Sequence, residues 1–314
     1  MSYRSKLWSA IKNPKLFIGE SRNVAEKINI MYDSVRHQDY GELIINKDWD
    51  NLLILDACRY DTFEEEYTSH RIDGDLFKFR SAASQSYEFM KKNFEGRQLY
   101  DTVYISANPF TPNLDPGIFH SLINLLDEWD ESMQTVLPET VVEKAIEIEK
   151  EYPNKRLIIH FMQPHYPFIG ETGKKIKHRG HGNGSEADTS QPNIWEVLQW
   201  RHKGYENVNE ETVWEAYREN VNIAIKSATE LSEELQGKTV LTADHGVHIG
   251  DRMRPIPARG YGHSPGLRTQ EVTEVPWFVV EKNHRKEITE DIPDTTAYEE
   301  FDSVEERLKA FGYK

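Results

Sequence analysis

Lys238-Thr239-Val240-Leu241-Thr242-Ala243-Asp244-His245-Gly246 is the stretch whose reading decides the fold. A β-branched and apolar run follows Gly237 and ends in an acid and a histidine side by side. That pattern reads as a buried strand stopping at a chemically equipped turn. In an α/β protein, ligands sit at the carboxyl ends of parallel strands. Asp244 and His245 supply one hard oxygen and one nitrogen donor, a pair suited to a divalent metal. The plainer alternative is an Asp that caps the following loop.

Working outward, the same pattern recurs. Asn51-Leu52-Leu53-Ile54-Leu55-Asp56 is an aliphatic run ending in an acid, as expected of a strand buried on both faces. A helix N-cap is the competing role for Asp56. Asp101 to Asn108 reads as a third strand, and the run Lys155 to Phe168 gives a fourth that leads into the Pro-flanked His165 of Pro164-His165-Tyr166-Pro167. Prolines around His165 fix its backbone, which suits an orienting role. Val275 to Val280 reads as a last strand, after the loop Tyr261-Gly262-His263-Ser264-Pro265-Gly266. Alternating strands and amphipathic helices, among them Pro138–Glu151 and Thr212–Leu235, predict an α/β fold. Residues 117–151 are expected to be helical.

The hydroxyl-rich run Ser81-Ala82-Ala83-Ser84-Gln85-Ser86 precedes a helical pattern through Tyr87, Met90 and Phe94. Ser84 or Ser86 would cap that helix well. A nucleophilic hydroxyl is the functional reading, since free N–H groups at a helix start favour a developing anion. Cys58 lies just after the first strand with no histidine nearby in sequence, so a small buried thiol is the simpler reading than a nucleophile.

Composition bounds the rest. The chain has 314 residues and a net charge of −15, from 53 acidic and 38 basic side chains. Hydrophobic residues make up 38% and aromatics 11%, enough for one sizeable core. The acidity argues against nucleic-acid binding and against a polybasic contact with membranes. A single cysteine excludes an internal disulfide and makes a reducing, cytoplasmic setting the default. No apolar run approaches the roughly 18 residues of a membrane span, so no integral membrane segment is expected. Residues 1–47 read as a helical leader packed on the core, 48–280 as the catalytic domain, and 281–314 as a charged peripheral tail with a short helix near Val304–Phe311. The stretch 170–193 is basic and glycine-rich, and reads as a solvated loop or as a flap over an anionic substrate. No Rossmann or Walker glycine pattern is present.

Taken in order, strand-Asp56, the Ser-rich helix start, Pro164-His165-Tyr166-Pro167, Asp244-His245-Gly246, Gly262-His263 and Val275-Pro276 resemble the alkaline phosphatase superfamily. The sulfatase-like hydrolase and transferase branch is the nearest likeness. Asp56-Ala57-Cys58-Arg59-Tyr60-Asp61 is similar to a group of archaeal sulfatase-like proteins associated with surface-polysaccharide and glycosylation loci. The resemblance implies a three-layer sandwich, a mostly parallel central sheet with helices on both faces. It implies a divalent metal held by Asp56, Asp244 and His245, with Ser84 as nucleophile and remaining ligand and Ser86 as the fallback. His165 would contact the ester oxygens or assist the leaving group, and His263 would touch substrate or a second metal. Two departures matter. The Cys-x-Pro-Ser-Arg type motif that yields formylglycine is replaced by Ser84-Gln85-Ser86-Tyr87-Glu88. The Asp-Asp pair of sulfatases is here Asp56-Ala57, which favours Mn, Zn or Mg over Ca and a phosphoester over a sulfate ester. The implied partner is an anionic small-molecule or glycan ester. A non-catalytic binding or assembly module in a glycan-synthesis complex is the alternative.

Overall fold

The structure is a computed structural model; it describes residues 14–36, 41–70, 72–115, 117–176, 192–200, 205 and 207–293. Most of the basic stretch 170–193, the first thirteen residues and the Val304–Phe311 segment therefore lie outside the described residues.

Five strands run parallel: β1 (Asn51–Leu55), β3 (Leu99–Ser106), β4 (Phe119–Asn124), β7 (Arg156–Phe161) and β8 (Thr239–Thr242). They join β2 (Asp75–Arg80) and β11 (Glu274–Val280) in one seven-stranded sheet, in the order β2-β11-β8-β1-β7-β3-β4. β11 is antiparallel to both of its neighbours, so β2 points the same way as the parallel five. All residues of β1 and β8 are buried, which suits the aliphatic run Leu52–Leu55 and the β-branched and apolar residues of β8. Each Leu or Ile of β1 sequesters enough apolar surface for about 1.5–3 kcal/mol.

Helices flank the sheet on both faces. From β2 the chain crosses to β3 through α3 (Ser86–Phe94), and it returns to β7 and then β8 through α4 (Pro138–Glu151) and α6 (Glu210–Glu234). Opposite directions of travel with right-handed crossovers put α3 on one face and α4 with α6 on the other. α4 and α6 pack together, and Phe94 of α3 meets Tyr104 and Phe119 of the sheet. The mixed α/β sandwich with a mostly parallel sheet expected from the sequence is the fold observed.

Two segments differ from expectation. Residues 119–124 form an edge strand rather than a helix, and β5 (Trp129–Asp130) and β6 (Thr135–Val136) follow as a small hairpin. Phe119 to Leu122 pack fully into the core, and pairing with β3 outweighs any helical preference. Asp75–Arg80, mostly exposed, is held as a strand by its ladder with β11.

The remaining elements cluster at one edge. α1 (Pro14–Arg36) is a long amphipathic helix. It lies near α5 (Ile194–Trp200) and the hairpin of β9 (His248–Arg252) and β10 (Arg259–Gly262). α2 (Tyr60–Glu66) follows β1, and the single turn α7 (Gln270–Thr273) precedes β11.

Candidate metal centre and its serine

Every candidate side chain comes from the carboxyl edge of the sheet. Asp56 follows β1, Ser84 and Ser86 follow β2, Asn108 follows β3, His165 follows β7 and Asp244-His245 follow β8. His263 enters at the same edge because it precedes the antiparallel β11.

Asp56, Asp244 and His245 converge, each offering one ligand atom, and these atoms lie within 4.8 Å of one another. All three residues are buried. The backbone sets their aim. Asp244 Oδ1 accepts from the amides of Ala57 (3.1 Å) and His245 (2.9 Å), leaving Oδ2 with no hydrogen-bond partner among the described residues. Asp56 Oδ2 accepts from Asn108 Nδ2 at 2.7 Å, leaving Oδ1 without a partner on the same terms. His245 Nδ1 donates to the Gly246 carbonyl at 2.8 Å, so its Nε2 carries the lone pair. That Nε2 lies 3.6 Å from Asp56 Oδ1 and 3.4 Å from Asp244 Oδ2.

Two bare carboxylate oxygens and an imidazole lone pair therefore face one point inside the protein. Orphaned buried acceptors are costly, and acceptors alone cannot satisfy one another. Burial, reinforced by the charge of Asp244, pushes the Asp56 carboxyl well above the usual carboxylate range. A divalent cation at that point fits the donor set and supplies the missing positive charge. His160 stands behind, with Nε2 3.8 Å from Asp244 Oδ2 and Nδ1 2.8 Å from the Tyr104 hydroxyl. Burial lowers its pKa to about 4 against the pull of Asp244, so it is a neutral ring at pH 7.

The turn that carries Asp56 is held under tension. Ala57 adopts φ +62°, in the left-handed region that non-glycine residues seldom enter. Tyr217 of α6 holds it there. Its hydroxyl donates to Ala57 O (2.8 Å) and accepts from Arg59 N (3.0 Å). The Ala57 amide is then directed at Asp244, so the strained residue connects the two metal-facing acids. Asp56 caps no helix, since the N-cap of α2 is Arg59.

The serines separate clearly. Ser86 is buried, and its Oγ lies 3.5 Å from Asp56 Oδ2 and 3.4 Å from His245 Nε2. Ser84 Oγ instead accepts from the Gly266 amide (2.8 Å) and donates to Glu88 Oε2 (3.2 Å). Neither is the cap of α3; Gln85 is, without a side-chain bond, and Ser86 occupies the first helical position. Glu88 is fixed by Arg268 and by Lys92 at 3.0 Å. Burial opposes its charge, but Arg268 and the Ser84 amide outweigh that and lower its pKa.

His263 stacks on His245, with centroids 4.2 Å apart, and its Nε2 is 3.1 Å from His165 Nε2. His165 Nδ1 donates to its neighbour's carbonyl, Tyr166 O, at 2.7 Å. The structure thus brings together Asp56, Ser86, His165, Asp244, His245 and His263, while Ser84, two residues before Ser86, is turned to Glu88 and Gly266. Cys58 is fully buried, and burial raises its thiol far from thiolate formation.

No protein-family model matches the chain, and no curated protein matches it in sequence. Among solved structures it is similar to lipooligosaccharide phosphoethanolamine transferase A of Neisseria meningitidis (11% identity, 83% of this chain and 50% of that one, TM-score 0.47). It is similar to the periplasmic domain of phosphoethanolamine transferase C of Campylobacter jejuni (11%, 74% and 78%, TM-score 0.47). A third is a Vibrio parahaemolyticus protein of the alkaline phosphatase superfamily (10%, 75% and 60%, TM-score 0.40). The chain spans half the length of the first of these structures.

Asn108, Tyr217 and the Glu88–Arg268 pair have no site role in the reading of the sequence. Asn108 carried one usable signal: it ends a strand at the edge where the other site residues gather. Tyr217 entered only as part of the long helix before the second acid-ended strand, where it reads as an ordinary core aromatic. Among the described residues no helix is long and apolar enough to cross a membrane.

Proposed function

We propose that the protein is a metal-dependent phosphoester hydrolase or transferase of the alkaline phosphatase superfamily, with Ser86 as its nucleophile. The observation that carries the reading is the pairing of the Asp56–Asp244–His245 cluster with the Ser86 hydroxyl at 3.5 and 3.4 Å. The nucleophile is placed at Ser86 rather than Ser84 because the Ser84 hydroxyl is committed to Glu88 and Gly266.

Asp56, Asp244 and His245 would hold the ion, with Mn, Zn or Mg favoured over Ca by the small ligand set that includes nitrogen. When bound, a divalent cation lowers the pKa of a neighbouring hydroxyl and offsets charge on the ester oxygens. Ser86 Oγ forms a bond to phosphorus while the bond to the leaving oxygen breaks. The proton released by Ser86 ends on that leaving oxygen, and His263, stacked on His245 and 3.1 Å from His165, would contact the ester oxygens with it. Water, or an acceptor hydroxyl of a glycan, then displaces Ser86 and regenerates it. Asn108 keeps Asp56 in register, and Tyr217 keeps the Asp56 turn.

The test is a screen of aryl phosphomonoesters, phosphodiesters and sulfate esters after loading with Mn, Zn, Mg or Ca. Turnover of a phosphoester that disappears with chelator and returns with one metal supports the reading. Absence of both ion binding and turnover under every loading supports a binding module instead.

A further inference from the structure

We infer that the outer face of α1, together with the tip of the β9–β10 hairpin, docks the protein on an anionic lipid surface. The inference does not rest on the catalytic reading. α1 has two opposed faces. Its inner face is fixed to the domain: Asn29 bonds both backbone groups of Ile256 (3.0 and 2.8 Å), Asp33 accepts from the Arg268 amide at 2.7 Å, and Glu26 accepts from Ser264. Its outer face carries Val24, Ile28, Met31, Tyr32 and Val35, which are 57, 40, 63, 39 and 76% exposed. Those spacings of three and four residues make one continuous apolar stripe. A stripe of this size left facing water marks an interaction surface.

The hairpin tip extends it. Ile256 is 40% exposed between Pro255 and Pro257, both also exposed, and the Asn29 bonds fix it beside α1.

Charge chooses the partner. The exposed cations bordering this surface are Lys27, Arg252 and Arg254, and among the described residues none of them forms an ion pair. A second copy of the chain would set these cations against one another. An anionic headgroup layer would meet them with opposite charge while the stripe enters the headgroup–acyl boundary. The sequence of residues 1–19 has the same character: Arg4, Lys6, Lys12 and Lys15 with no acid, alongside Leu7, Trp8, Ile11, Leu16 and Phe17. The net charge of −15 conceals this; of the acids on α1, Glu26 and Asp33 are turned inward onto Ser264 and the Arg268 amide. The docked surface would lie one helix away from the loop that carries His263, since Glu26 and Asp33 hold that loop directly.

The test is co-sedimentation of the full chain with vesicles of phosphatidylcholine alone and of phosphatidylcholine mixed with phosphatidylserine. Binding is expected only to the mixture and should weaken with salt. Ile28→Glu with Met31→Glu, and separately Lys27→Glu with Arg254→Glu, should each reduce it by about tenfold or more. Helix content by circular dichroism should not change. If the first pair unfolds the chain, Met31→Ser with Val35→Ser replaces it. Absence of lipid binding, equal binding to both vesicles, binding indifferent to these variants, or a dimer in solution that Met31→Ser with Val35→Ser dissociates would each overturn the inference.

Discussion

Asp56→Asn separates what the metal site does for function from what it costs the fold. The ligand atoms of Asp56 and Asp244 lie no more than 4.8 Å apart in a fully buried pocket. Two unit charges at that distance repel by roughly 3 kcal/mol at an effective dielectric of about 20. Asparagine keeps the acceptor that Asn108 uses and replaces the bare Oδ1 with an amide that can donate to Asp244 Oδ2. In chelator at pH 8 the variant should therefore be more stable than the parent, by about 1–3 kcal/mol. In saturating metal the order should reverse, because only the parent gains binding free energy. Urea denaturation of both proteins, with chelator and with metal, reads the two effects separately. A variant less stable than the parent in chelator, or one that keeps the metal-dependent gain, would refute the reasoning.

Three further outcomes follow from the same contacts. Tyr217→Phe leaves Ala57 O and Arg59 N without their partner in a buried turn, and should cost about 2 kcal/mol by urea denaturation together with weaker metal binding. Unchanged stability and affinity would remove Tyr217 from its proposed task. Asp251 sits among His248, Arg59 and the Ile249 amide, which outweigh burial and hold its carboxyl well below the ordinary range. A depressed carboxyl stabilises the fold above its unfolded value of about 4 and loses that contribution as pH falls further. Asp251→Asn should accordingly flatten the acid limb of stability below pH ~4, and an unaltered acid limb would contradict this. Cys58→Ala should keep turnover, and native alkylation should leave activity intact, because the thiol is fully buried; inactivation by alkylation would return Cys58 to the mechanism.

The parts of the fold that were legible in the sequence are those with one dominant cause. Asn51–Leu55 and Thr239–Thr242 are buried on both faces and have no other use for their aliphatic runs. The acids that end them were legible as a candidate site because two separate strands of one sheet each end in one. Phe119–Asn124 was not legible, since its strand exists only through pairing with β3, where Tyr104 and Leu122 are in register across a separation invisible as a local pattern. The sequence left Ser84 and Ser86 as alternatives for a related reason. Both are small hydroxyls beside the same helix start, and only the Gly266 loop, far along the chain, occupies one of them. The stripe on α1 was legible as helical spacing. Which of its faces meets the core depends on Asn29 and Asp33, whose partners lie more than two hundred residues on.

The central claim is that the Ser86 hydroxyl, set against the Asp56–Asp244–His245 cluster, performs the attack. The most direct measurement is kcat/KM of metal-loaded Ser86→Ala and Ser84→Ala on the best phosphoester from the screen, with bound metal quantified in each. Ser86→Ala should lose at least roughly a thousandfold while retaining its ion, and Ser84→Ala should stay within about tenfold of the parent. The opposite pattern, a silent Ser86→Ala and an inactive Ser84→Ala with metal in place, would contradict the account.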